Sequence, residues 1–259
     1  MSSFETIDVT ATGARGAIVL NRPDKLNPLS ESTLTELAAA ARWFGERPQV
    51  KVVVVSGSGR AFSAGADVSA FAGDDPGVAA RRRAADAGRL MAEAIEAIEA
   101  ITVARIHGHC VGGGVVLAAA CDLRIAAEAT RFSIPEVDLG IPLAWGGIPR
   151  LVREIGPAMT KELVLTCRPF TAHEAHSLGF LNRVVANEQL DETVEELVAE
   201  LERKSSLTLM ATKRAVNATS EAIASTAGAW SDADALLSAL EDPESRRVAR
   251  EYLEGLARR

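Results

Sequence analysis

One glutamate and a run of glycines are the residues of this chain best suited to chemistry. Glu136 lies on the loop Ile134-Pro135-Glu136-Val137-Asp138-Leu139-Gly140, and the glycines lie upstream in Cys110-Val111-Gly112-Gly113-Gly114-Val115-Val116. Three successive glycines between a β-like stretch (103–106) and an alanine-rich one let the backbone turn sharply into a helix whose first N–H groups lack internal partners. Such amides, at the positive end of a helix, suit an oxyanion. A carboxylate nearby can then carry a proton to and from whatever the site polarises. A second loop, Arg60-Ala61-Phe62-Ser63-Ala64-Gly65-Ala66-Asp67, is built of residues small enough for a ligand to approach the backbone. Its amides can supply the other half of the anion site.

These loops need a frame, and the apolar pattern predicts one. Residues 6–10 and 16–20 read as a hairpin with a glycine-containing turn. Ser30 is placed to cap a helix through Leu34, Leu37, Ala38 and Ala41, closing near Gly45 and Pro48. The unbroken apolar run at 52–55 reads as a strand buried on both faces, feeding the second loop. After a polar segment at 73–77, the spacing of Leu90, Met91, Ala94, Ile95 and Ile98 predicts a helix over 81–100. A strand at 103–106, a helix from Gly113, a strand at 123–126 and short helices through Leu165 follow, with a capping box at Thr171-x-x-Glu174. Repeated strand, strand, helix units are implied. From about Leu190 the chain turns helical and charge-rich, so the expected division is a core at 1–190 and a helical subdomain at 191–259.

Composition narrows the function classes. At 259 residues and 47% apolar content, one compact core with an appendage is the expected build. A net charge of −7 argues against a nucleic-acid or anionic-membrane surface, and Arg81-Arg82-Arg83 reads as a solvated helix face. No apolar run approaches the roughly 20 residues that span a bilayer, and the first residues lack a signal-peptide pattern, so a cytoplasmic location is expected. Cys110, Cys121 and Cys167 are odd in number and lack C-x-x-C spacing, which points to reduced core thiols. His107 and His109 flank Gly108 without an evident third ligand, so local hydrogen bonding is expected of them and no metal. His173 and His176 read as structural or exposed. Ser63 lacks a nucleophile elbow, and no Walker A or dinucleotide fingerprint accompanies the glycines.

The chain resembles the crotonase superfamily, the enoyl-CoA hydratases and isomerases. The likeness runs over nearly the whole length and rests on Leu20-Asn21-Arg22-Pro23, Leu26-Asn27-Pro28-Leu29, Ala61-Phe62-Ser63-Ala64-Gly65-Ala66-Asp67, the stretches 108–114 and 132–140, and Cys121-Asp122. It implies an α/β fold, a spiral of ββα turns with C-terminal helices that mediate trimer contacts, the trimers often pairing into hexamers. It also implies that the Ala64 and Gly113 amides bind the thioester oxygen of an acyl-CoA, and that Lys25, Leu26, Ala64, Gly65, Ala66, Asp67, Gly112 and Gly113 border the coenzyme A portion. Coenzyme A is then the substrate's carrier, with no resident cofactor or metal. Such a site needs few side chains: losing a proton beside a thioester makes an enolate, and each amide aimed at its oxygen is worth roughly 3–4 kcal/mol.

The chain departs from the hydratases it resembles at one position. Those enzymes carry a glutamate three residues after the middle glycine and a second in the Pro-Glu loop, and use both to hold and split a water. Here Val116 takes the first place and only Glu136 matches the second. A single glutamate resembles the Δ3,Δ2-enoyl-CoA isomerases, in which one carboxylate moves a proton between carbons. Dienoyl-CoA isomerases resemble the chain less, since acids stand there where this chain has Val116 and Ala144. Trp145, in a segment that is smaller and glycine-rich in many relatives, is expected to reshape the acyl pocket together with Val116. Isomerisation is therefore the expected activity, with hydration by an incomplete glutamate pair and silent acyl-CoA binding as alternatives. In an arbitrary protein the favoured reading of Glu136 is a cap on the helix near Gly147 or a partner for an arginine, and within this constellation catalysis stands above it; Asp138 reads as a surface or hydrogen-bonding carboxylate.

Overall fold

The structure is a computed structural model and describes residues 4–67 and 77–257. The polar segment expected at 73–77 lies outside the described residues except for Gly77. Two strands, β1 (Ile7–Thr12) and β2 (Arg15–Leu20), form the N-terminal hairpin around Gly13 at φ 61°. Helix α1 (Glu31–Gly45) starts at Ser30, whose hydroxyl accepts the Thr33 amide, as the sequence predicts. Strand β3 (Val52–Gly57) then pairs with β2 in parallel, and β4 (Ile101–Ile106) pairs with β3. Between them runs α2 (Val78–Glu96), which starts and ends a few residues earlier than the apolar spacing predicts.

Two further units repeat one plan. Strands β4 and β5 (His109–Val111) precede helix α3 (Gly113–Ala119), and β6 (Leu123–Ala127) and β7 (Arg131–Ser133) precede helix α4 (Gly147–Thr166). In each unit the first strand joins a six-stranded sheet of order β1-β2-β3-β4-β6-β9, where β9 is Arg183–Val185. The second strand joins a smaller sheet of order β5-β7-β8, where β8 is Phe170–Thr171. This is a spiral of ββα turns. The short helices expected before Leu165 are the two halves of α4, bent where Gly156 adopts φ 74° and ψ 164° ahead of Pro157. Thr171 caps α5 (Ala172–Ser177) by accepting the Glu174 amide.

The parallel strands are buried on both faces, as the run at 52–55 predicts. Val53 and Val55 join the main core, while Val52, Val103 and Ile125 pack against Leu190, Val194 and Val198 of α6 (Leu190–Glu202). Packing thus continues across residue 190, and α6 is a layer of the core as well as the start of the helical region. The next helix, α7 (Ser206–Ile223), buries only Lys213. Its ammonium donates to Asp122 Oδ2 at 2.8 Å and the Ala100 carbonyl at 3.1 Å, and Asp122 also accepts the amide and hydroxyl of Thr102. The last helices are α8 (Asp232–Glu241) and α9 (Pro243–Ala257).

Part of the arginine cluster corrects a sequence expectation. Arg81 pairs with Glu241 at 3.2 Å and Arg82 with Asp234 at 2.9 Å, so these two fasten α8 onto α2 and are not merely a solvated face. The three cysteines are free and buried. Among the described residues no helix is long and apolar enough to cross a membrane.

The small sheet is held by aromatic packing. Phe132 is fully buried, stacks on Phe170 with centroids 5.3 Å apart and meets Phe180 edge-on at 6.1 Å. Phe132→Ala removes the ring common to both contacts and is expected to cost about 3–5 kcal/mol, read as a lowered denaturation midpoint.

Candidate active site

Two strands of the small sheet and a bridging segment end side by side. Cys110 of β5 bridges Ser63 in parallel, and Val111 pairs in parallel with Ser133 of β7. The loops leaving these three positions are the ones the sequence singles out: 64–67, 112–114 and 134–140. Ligands of parallel α/β arrangements gather at such carboxyl ends, because the loops there converge. The Gly112 amide donates to the Ser133 carbonyl at 2.9 Å, which ties the glycine turn to the strand that leads into Glu136.

Gly112 adopts φ 49° and ψ −114°, and a Cβ there would collide with Glu136 Oε1. Glycine is therefore required twice, once for the turn and once for the carboxyl lying on it. Gly65, at φ 90°, leaves 2.7 Å between a would-be Cβ and the Val111 carbonyl, and 3.7 Å to the Gly113 nitrogen. The two glycine loops are thus in direct backbone contact.

The amides of this contact decide which donors remain. Ala64 N–H donates to the Leu26 carbonyl at 2.8 Å, and Gly65 N–H donates to Ser63 Oγ at 3.1 Å. Asp67 N–H goes to Leu29 at 3.2 Å. Ala66 and Gly113 keep amides with no partner among the described residues. The expectation for Ala64 is corrected: its amide stitches loop 64–67 to loop 22–29, and Ala66 is the available donor beside Gly113. The direction of an amide in this loop follows from the left-handed turn at Gly65, which residue types alone do not reveal.

Loop 22–29 lies against loop 64–67 through the hydrogen bond from Ala64 to Leu26. Lys25 is exposed, and Leu26 (φ 61°) and Asn27 (φ 54°) are both left-handed. Asn27 is almost wholly buried and holds this conformation: its side chain accepts the Arg22 amide and donates to the carbonyls of Ser58 and Ala61, each at 2.9 Å. Arg22 pairs with Asp67 at 3.2 Å across the two loops. The sequence marks Asn27 only as part of a motif, and its bracing role needed the structure.

Glu136 is 9% exposed, and its Oε2 is buried without a hydrogen-bond partner. Burial pushes its carboxyl up to about 7, with its own backbone amide pulling the other way. It neither caps α4, whose N-cap is Gly146, nor pairs with an arginine among the described residues. Asp138, half-buried, donates its backbone amide to Cys167 Sγ at 3.4 Å. His107 engages the Gly59 carbonyl and Arg105, which agrees with a local hydrogen-bonding role. The described residues contain no cluster of His, Cys, Asp or Glu fit to hold a metal ion.

The remaining wall is apolar. Val116 is 1% exposed and, with Leu143, closes on Gly147 within about 3 Å of where a Cβ would stand. The Trp145 ring occupies the Cβ positions of both Gly88 on α2 and Gly113 on α3, so it lies wedged between the two helices and directly on the free Gly113 amide's residue.

Residues 12–258 match the family model described as enoyl-CoA hydratase/isomerase. The chain is 36% identical over 216 residues to "Crotonyl-CoA hydratase" of Syntrophomonas wolfei, covering 83% of this chain and 82% of that protein. It is 34% identical over 227 residues to the peroxisomal "Delta(3,5)-Delta(2,4)-dienoyl-CoA isomerase" of Arabidopsis thaliana, covering 82% of each. A crystal structure of an enoyl-CoA hydratase from Mycobacterium avium subsp. paratuberculosis superposes with a TM-score of 0.88 at 26% identity, over 96% of this chain and 100% of that one.

The raised carboxyl of Glu136 has a measurable thermodynamic signature. The folded state holds this proton up to about pH 7, whereas the unfolded chain releases it near 4.5, so Glu136 subtracts stability as pH rises through that window. Glu136→Gln, neutral at every pH, is expected to match the wild type below about pH 4.5 and to exceed it by about 3 kcal/mol above pH 7. Denaturant titrations of both proteins across this range read the difference.

Proposed function

The chain belongs to the enoyl-CoA hydratase/isomerase family, and we propose that it shifts the double bond of an enoyl-CoA with Glu136 as its only proton carrier. The observation that carries this reading is the pairing of a buried Glu136, whose Oε2 has no hydrogen-bond partner, with a buried Val116. Splitting a water across a double bond calls for two groups that hold it and exchange its protons. Moving a proton between two carbons of one substrate calls for one.

In this reading the thioester oxygen sits between the Ala66 and Gly113 amides. Glu136 takes a proton from the carbon beside the thioester of a 3-enoyl-CoA, and the electron pair delocalises over the thioester and the double bond. Negative charge grows on the oxygen, where fixed amides stabilise it without reorganising. The same carboxyl then delivers the proton at the γ carbon, leaving the double bond conjugated and the enzyme in its starting state. A carboxyl near 7 suits both halves, because it gives up its proton almost as readily as it takes one.

Lys25, Leu26, Gly65, Asp67 and Gly112 border the coenzyme A portion in this proposal, and Val116 and Trp145 line the acyl group. The reading needs no resident cofactor, and it takes the chain as a cytoplasmic homotrimer or hexamer assembled through the C-terminal helices. A second reading, hydration, draws its support from the relative named crotonyl-CoA hydratase.

Purified protein offered 3-enoyl-CoA is expected to give the 2-enoyl ester, and 2-enoyl-CoA is expected to gain water slowly. Rapid water addition without isomerisation would replace this reading with the second. Glu136→Gln is expected to lower turnover about 10²- to 10⁴-fold, followed spectrophotometrically on the same substrates.

A further inference from the structure

Trp145 is held in a conformation it would not choose. It has φ 63° and the next residue, Gly146, has φ 67°, two successive left-handed residues just before α4. A bulky side chain in that region is strained by about 1–3 kcal/mol and stays there only where its surroundings impose it. The restraints are on both sides of the turn. Arg150 Nη1 donates to the carbonyls of Trp145 and Gly146 at 3.3 and 3.2 Å, and its Nη2 is anchored on Glu96 of α2. On the other side the Gly146 amide donates to Asp232 Oδ2 at 2.8 Å.

Asp232 comes from the first turn of α8, 86 residues away and inside the region expected to serve assembly. Its helix is itself fixed to α2 through Arg82, which reaches Asp234 and the Trp230 carbonyl, and through Arg81 on Glu241. Farther along, the Ser245 backbone approaches Gly140 so closely that a Cβ there would collide with it. The C-terminal segment therefore grips the stretch between Glu136 and α4 at two points. Gly146 is the N-cap of α4, and the carboxylate of Asp232 satisfies its amide at the positive end of that helix.

The consequence falls on the substrate. The Trp145 ring rests on Gly113, and the acyl chain begins one bond from the thioester oxygen that the Gly113 amide is proposed to hold. We propose that Asp232 is a positioning residue that sets acyl-chain selectivity: by clamping the Gly146 amide it keeps the Trp145 ring pressed against Gly113 and closes the acyl pocket at that side. This rests on the acyl-CoA reading above and assigns the C-terminal segment a part in substrate choice.

Two variants of the full chain test it, with saturated butyryl-CoA and decanoyl-CoA as non-reacting probes in calorimetry. Asp232→Ala is expected to shift the ratio of the two affinities about tenfold in favour of the longer ester, and to speed hydrogen exchange in the peptide containing Gly146. Asp232→Asn keeps an oxygen that accepts the amide and is expected to preserve both values. An unchanged affinity ratio in Asp232→Ala overturns the proposal, whether or not exchange rises. Equal behaviour of the two variants also overturns it, since the hydrogen bond would then not be the cause. Wild-type protein that binds neither ester removes the acyl-CoA reading itself, and faster exchange in Asp232→Ala would then show only that the clamp is structural.

Discussion

The parallel pairing of β5 with β7 and with Ser63 is the constraint on which the rest of the molecule depends. Ser63 bridges Cys110 of β5 and Val111 pairs with Ser133 of β7, both in parallel, so the next residues of each emerge together. The contact between Gly65 and the Gly112-Gly113 turn, and the contact between Gly112 and Glu136, are consequences of that pairing. The large sheet fixes the ends of the strands that precede them. Shifting one short strand by a single residue would send its side chains to the other face and separate Glu136 from the glycine turn.

A second consequence is electrostatic. The register sets Glu136 against backbone and apolar side chains, where an ionised carboxylate is shielded from solvent and its Oε2 has no hydrogen-bond partner. That is costly in isolation. The large two-sided core, with α6 on one face of the strands and the helices on the other, supplies the cohesion that tolerates it. The same dryness makes the neighbouring amides effective, since a dipole acts most strongly where solvent does not compete.

Much of this was legible in the residues, for definite reasons. Ser30 and Thr171 announce helix starts because a cap is a local interaction between a side chain and an amide three residues on. The strand at Val52–Gly57 is visible because burial on both faces demands an unbroken apolar run. The glycine turn is visible because Gly112 adopts a backbone conformation that other residues rarely take. Strands of two or three residues such as β5, β7 and β8 show no alternation to read, and they are the ones that bring the loops together. The choice between the Ala64 and Ala66 amides depends on a partner at Leu26, and the grip of Asp232 on Gly146 depends on helices docking late in the chain. Neither has a local signature.

Gly88 and Gly113 share a role that neither could fill alone. Each yields the space of a missing methyl group to one indole, so positions 88, 113 and 145 form a single packing unit assembled from three distant parts of the chain. Such a unit exchanges members only as a set. A larger residue at 88 is compatible with a smaller one at 145, and a smaller residue at 145 by itself leaves an unfilled slot between two helices. Reshaping this contact therefore calls for coordinated substitution across α2, the start of α3 and the turn before α4.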